Sequence, residues 1–346
     1  MAQTKEYWLQ LENQPWDACP WGVDRATGQT VPAGLGGAHR PTAQETLIIR
    51  RTTPNWAQPA GAAINLWDLN EPDLAQSRPS IPGAVLEAKV ADEIIVHFRN
   101  LDRRGGVPDA ERLHSLHAHG VQRLPLYDGA FPLSPPDPDQ SGRRGDRVVP
   151  GESFTYRWTC PQRAAAGAWL IHDGGPAASS SMALGALAVV IIRAPGEQRP
   201  DLPASPVRQP GDTATHFAAV PAPPKRGEYV LLFHELPGVG LCLNGRQGLG
   251  NTPTLVAGIG TRMAIHCLNA ASYPITVHMD GHRWQRGDRW VDVELLPAGG
   301  GATLSLLSGS AENGGGPGEW LLTGTAGAGQ VAGSLLVTAG GAVSLA

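Results

Sequence analysis

Apolar residues in this chain come in short runs, and most of those runs alternate with polar residues. VADEIIVHFRN (90–100), GESFTYRW (151–158) and PITVHM (274–279) each place apolar side chains at every second position. That is the period of a β-strand with one buried face. The longest unbroken apolar stretch runs from Ala183 to Ile192. It is about half the length of a membrane span and suits a fully buried strand. Helical periodicity over ten or more residues is scarce, so the pattern predicts an all-β protein.

The strand pattern repeats. VADEIIVHFRN (90–100) lines up with IGTRMAIHCLN (259–269), which sets His97 on His266 and Asn100 on Asn269. HAHG (117–120) lines up with HMDG (278–281), and GESFTYRW (151–158) with GGATLSLL (300–307). GAWLIHDGG (167–175) lines up with GEWLLTGTA (318–326), and GALAVVI (185–191) with GSLLVTA (333–339). Five blocks in one order imply two copies of one β-domain. The boundaries expected are residues 1–193 and 227–346, joined by a proline-rich connector over 194–226. A length of 346 residues suits two domains of ordinary size.

Composition agrees: 44 glycines and 31 prolines, dispersed between the runs, supply turns for many short strands. A net charge of −4 without a basic stripe argues against nucleic acid, and the absence of a cationic amphipathic stretch argues against a membrane surface. The first sixteen residues, MAQTKEYWLQLENQPW, show no apolar signal core, so a cytoplasmic protein is expected. Four widely spaced cysteines (Cys19, Cys160, Cys242, Cys267) form no C-x-x-C pair and are read as neutral thiols.

Histidine is where chemistry enters. His117 and His119 flank one alanine, and residues two apart in a strand share a face, so both rings can reach one metal ion. The bland alternative is a half-exposed strand that carries two histidines. His97 and His266 read as half-buried strand residues, His114 as a loop or strand-edge residue, and His234 as a satisfied core histidine. His39 and His216 lie in loop-like sequence. The run from Arg123 to Asp146 is a long loop after the H-x-H strand, and Tyr127, Asp128 and Phe131 could line an entrance or pack between subunits.

Taken in order, these blocks resemble the cupredoxin domains of multicopper oxidases, over nearly the whole chain. The resemblance implies two tandem Greek-key β-sandwich or barrel domains. It also implies copper held by short histidine motifs, which are matched unevenly here. His117 and His119 match the H-x-H-G motif, and His172 matches the first histidine of W-x-x-H-x-H, with Gly174 in place of the second. His278 and His282 match part of the third motif, where Ile275 and Asp280 replace the others. At the fourth, Thr323, Gly324 and Thr325 stand in place of H-C-H, and Asp173 occupies the position of a nitrite-reductase-like cysteine. The blue, type 1 copper site is therefore expected to be missing. His117, His119, His172 and His278 are expected to hold a remaining ion, with Asp280 as an oxygen ligand, an acid/base or a partner fixing an imidazole, and His282 as a residue that supports the ligands or the fold and is not itself a ligand.

On this reading the protein is a metal-dependent oxidoreductase acting on a small organic substrate, without electron relay. One copper ion per site is expected, with zinc or another divalent metal as the alternative. A metal-binding scaffold without turnover and a zinc hydrolase or lyase are the competing readings. Two-domain relatives join such motifs between neighbouring chains, so a homotrimer with the metal site at the subunit interface is expected.

Overall fold

The structure is a computed structural model that describes residues 2–20, 22–30, 43–60, 79–197, 226–310, 315–327 and 329–339. Most of the expected connector, 198–225, lies outside the described residues, as do His39 and His216. The chain separates into two compact units.

The first unit draws on residues within 1–16, 43–64 and 76–197. Its strands are β1 (Thr4–Trp16), β4 (Ala43–Thr52), β5 (Val85–Lys89), β6 (Glu93–Leu101), β7 (His117–Ala118), β8 (Ser153–Thr159), β9 (Gly167–His172) and β10 (Leu187–Arg193). The short strands β2 (Val23–Asp24) and β3 (Gln29–Thr30) pair with each other and belong with the second unit. In the first unit one sheet runs β4-β1-β6-β8 and the other β5-β10-β9-β7. The single described α-helix, α1 (Ala178–Ala183), links β9 to β10. Between the sheets the alternating residues meet: Leu9, Leu11, Val96, Phe98, Phe154, Tyr156 and Trp158 from one, Ala118, Ile171, Ala188 and Val190 from the other.

The second unit contains β11 (Arg226–Leu236), β12 (Gly240–Leu243), β13 (Thr254–Gly258), β14 (Arg262–Asn269), β15 (Ile275–Met279), β16 (Trp284–Arg286), β17 (Arg289–Val291), β18 (Val293–Leu296), β19 (Gly301–Leu307), β20 (Gly318–Ala326) and β21 (Gly329–Thr338). Its two main sheets run β12-β11-β14-β19 and β13-β21-β20-β15-β18. β11 is parallel to β14 as β1 is to β6, and β13 is parallel to β21 as β5 is to β10. The duplication read from the sequence is thus a duplication of topology.

Matched residues even do matched work. His97 bonds Thr155 and Glu6, and His266 bonds Thr303 and Glu228. Asn100 and Asn269, both fully buried, each donate from the side-chain amide to backbone carbonyls and accept a backbone N–H two residues on. These pairs also correct one alignment. Register sets His97 opposite Thr155 and His266 opposite Thr303, so Thr155 corresponds to Thr303. Matching GESFTYRW to GGATLSLL without a gap is one residue out. In strands a shift of one reverses the faces, and Thr303 is set on the polar face with its histidine.

Candidate metal centre

The H-x-H strand does what its period promises. β7 pairs antiparallel with β9 so that His117 faces His172 and Ala118 faces Ile171. Ala118 and Ile171 enter the core, which turns His117, His119 and His172 onto the outer face. The His119 N–H donates to the Leu170 carbonyl and carries the ladder one step further. Gly120 then ends the strand at φ +71°, where a Cβ would stand 2.3 Å from the Trp169 ring. The glycine of the motif is therefore required by backbone and packing together.

One ligand atom from each of the three histidines lies within 4.8 Å of the other two, and all three residues are half-buried. His119 Nε2 and His172 Nε2 are 3.2 Å apart. The His172 Nδ1–H donates to the Asp173 carbonyl at 2.7 Å and the His117 Nδ1–H to the Asp128 carbonyl at 2.9 Å. With Nδ1 protonated, each of these two rings carries its lone pair on Nε2. Two imidazole nitrogens at 3.2 Å need a proton or a cation between them, so the donor set fits a metal bound through ring nitrogens. Burial lowers the pKa of His117, and the nearby Arg123 guanidinium lowers it further. Burial also lowers His172, with His117 and Arg123 adding to the effect. Both shifts favour the neutral ring that a metal requires.

The loop after β7 reaches back to this site. Asp128 Oδ1 lies 3.2 Å from His117 Nδ1, and its Oδ2 accepts from Arg123 Nε at 2.9 Å. The Phe131 N–H donates to the Gly174 carbonyl. At Gly174, where the motif has its second histidine, a Cβ would stand 2.6 Å from the Gly129 carbonyl oxygen and 3.0 Å from His117 Cβ. That position packs against the loop and has no room for a ring.

His278 lies in the second unit, on β15, opposite Thr323 as His117 is opposite His172. Its Nδ1 is 3.2 Å from Asp280 Oδ1, with both side chains more than a third exposed. Asp280 thus touches His278 in the manner of a carboxylate that orients an imidazole. Ile275 is buried in the core, and a Cβ on Gly324 would stand 2.3 Å from the Phe233 ring. His282 is buried; its Nδ1–H donates to the Asp280 carbonyl and its Nε2 accepts from the Gly309 N–H, a structural arrangement. All four cysteines are free thiols; burial raises Cys19 to about 11 and Cys160 to about 12.

Of the other histidines, His114 keeps its sequence reading but gains partners the sequence did not show, and His234 departs from its reading. His114 does sit at a strand edge, bridging Val148, but its ring is fully buried between two carboxylates. Nδ1 lies 2.6 Å from Asp173 Oδ2, and Nε2 lies 2.9 Å from Asp102 Oδ2. Asp102 also pairs with Arg104, and Asp173 accepts from the Ser115 and Gly175 N–H groups and the Ser181 hydroxyl. Both partners are distant in sequence, so only folding reveals the cluster. His234 is buried as expected, yet neither ring nitrogen has a hydrogen-bond partner among the described residues.

Two Greek-key sandwiches of matched topology, with a histidine trio on the outer face of one, define a multicopper-oxidase-like cupredoxin fold. No family model matches the chain. Its sequence is similar to Ferroxidase HEPHL1 of Mus musculus, 28% identical over 165 residues, covering 46% of this chain and 13% of the relative. It is also similar to ceruloplasmin of Mus musculus, 35% identical over 74 residues, covering 21% of this chain and 6% of the relative. The matched segments thus span only a small fraction of these longer proteins. Among solved structures, a copper nitrite reductase from Nitrosomonas europaea superposes with a TM-score of 0.56 at 15% identity, covering 97% of this chain and 94% of that one. A multicopper oxidase superposes with a TM-score of 0.57 at 16% identity, covering 97% and 89%.

Proposed function

We propose that this protein is a copper-dependent oxidoreductase whose metal is held by His117, His119 and His172 and whose substrate is a small organic molecule. The observation that carries the reading is the convergence of three ring nitrogens on one point, with Nδ1 of two rings tied to carbonyls. The likeness to copper oxidoreductases supports copper as the metal. When bound, the ion would supply one-electron redox chemistry and Lewis acidity to the substrate. The chain's own residues hold the geometry: the Asp128 and Asp173 carbonyls fix two imidazole tautomers, and half-burial leaves the site reachable from solvent.

The reading includes two further expectations. A type 1 centre is absent, because Ile275, Gly324 and Asp173 offer no thiolate or imidazole at the positions the resemblance marks. His278, oriented by Asp280, completes the site from a neighbouring chain in a homotrimer.

Metal analysis of the isolated protein followed by electron paramagnetic resonance tests this. One copper per chain without an intense blue absorption is expected, and copper is lost in His117→Ala, His119→Ala and His172→Ala. Zinc in place of copper would favour the hydrolase or lyase reading, and copper without turnover the binding-scaffold reading. Light scattering showing a trimer, with copper retention impaired in His278→Ala, is expected for the shared site; a monomer with full copper content excludes it.

A further inference from the structure

Arg123 brings a guanidinium against His117 of the trio, and its position is unusual. Nε donates to Asp128 Oδ2 at 2.9 Å, and Nη1 donates to the Ala118 carbonyl at 2.7 Å. These bonds fix the group at the H-x-H strand. Nη2 lies 3.2 Å from His117 Nδ1 and 3.1 Å from His117 Nε2. In the ring plane, no point that close to both nitrogens is free of contact with ring carbon, so Nη2 sits over the ring face. His117 Nδ1 already donates to the Asp128 carbonyl, and the lone pair on Nε2 lies in the ring plane. The two N–H bonds of Nη2 therefore have no in-plane acceptor on His117.

We propose that Arg123 is a specificity residue that selects a small anion, with Nη2 donating to one oxygen of a carboxylate-bearing substrate seated beside the trio. The inference rests on the proposed metal site and deepens it. Asp128 offsets the charge of Arg123, so a divalent cation bound by three neutral imidazoles keeps its full charge and attracts an anion. Because Nε and Nη1 are committed to the protein, recognition is through one nitrogen and not by a two-pronged clamp. A guanidinium held this way loses little freedom on binding, which favours selection.

The test uses copper(II)-loaded protein titrated with azide, acetate and neutral imidazole, followed by electron paramagnetic resonance and ligand-field absorption. Azide reports any small anion, and acetate reports the carboxylate. In Arg123→Gln, affinity for acetate and azide is expected to fall roughly tenfold or more, as for a lost charged hydrogen bond. Imidazole affinity is expected to stay within about twofold, and Arg123→Lys to recover part of the anion affinity. Equal anion binding in wild type and Arg123→Gln overturns the inference and leaves the metal site standing. A parallel loss of imidazole binding overturns it too, by assigning Arg123 a purely structural part. Loss of azide alone excludes the carboxylate. A wild-type protein that takes up no copper removes the metal reading and this inference with it.

Discussion

His114 Nδ1 stands 2.6 Å from Asp173 Oδ2, inside the first unit and one residue from a ring of the candidate metal centre. Asp173 occupies the position at which the resemblance places a cysteine ligand, and here it closes a buried ionic cluster with Asp102, Arg104 and Ser181. Neutralising Asp173 leaves His114, Asp102 and Arg104 still paired with one another but with an uncompensated charge in a water-poor interior. Asp173→Asn is expected to destabilise the first unit by about 3–5 kcal/mol. Thermal or denaturant unfolding measures it; a loss below about 1 kcal/mol would show that the cluster is not ionic.

The same cluster sets an alkaline limit. Burial disfavours the charged His114 ring, but its hydrogen bonds to Asp102 and Asp173 outweigh that and raise its pKa from 6.5 to about 8. A base whose pKa is raised on folding contributes fully below the unfolded value and loses that contribution as pH rises through the folded one. Stability is expected to fall on the order of 1–2 kcal/mol between about pH 6.5 and pH 8.5. Denaturant midpoints across that range check it, and His114→Gln should flatten the slope.

His234 gives the opposite sign. Burial pushes its pKa down from 6.5 to about 4, so the unfolded chain binds a proton more readily than the folded one. Stability is expected to decline by about 3 kcal/mol as pH falls from 6.5 towards 4. His234→Leu, similar in volume and free of unsatisfied nitrogens, is expected to remove that acid slope and to be neutral or stabilising at pH 7. A Leu variant that unfolds more readily at pH 5 than the wild type would contradict this.

Gly120 carries both a positive φ and the Trp169 ring against its Cα. Trp169 cannot swing away without losing the bond from its Nε1–H to the Ala165 carbonyl. Gly120→Ala is expected to cost about 1–3 kcal/mol or more and to lower metal affinity by displacing the H-x-H strand. Calorimetry and copper titration give the two readouts.

Asp280→Asn is a contrasting case. The pair with His278 is exposed, so the effect on stability is expected to stay within about 0.5 kcal/mol. If His278 completes a site between chains, the same variant should weaken copper retention in the assembled protein while leaving the isolated fold unaffected.

The sequence by itself determined the architecture, and its residue pattern picked out two members of the candidate site, with His172 named only through the resemblance. Alternation along GESFTYRW and the order of five repeated blocks specify two matched sandwiches, because burial of one strand face writes itself into every second residue. His117 and His119 were legible for the same reason: two residues apart on a strand is one face. Pairing across strands was not legible, since nothing local sets His172 opposite His117, or Thr155 rather than its neighbour opposite His97. Nor was the burial of His114, which depends on Asp102 and Asp173 arriving from separate elements. Arg123 was legible only as the start of a long loop until that loop folded back and laid its guanidinium over His117. Local period is a property of neighbouring residues, whereas charge compensation and the meeting of ligand atoms are properties of distances that only the folded chain sets.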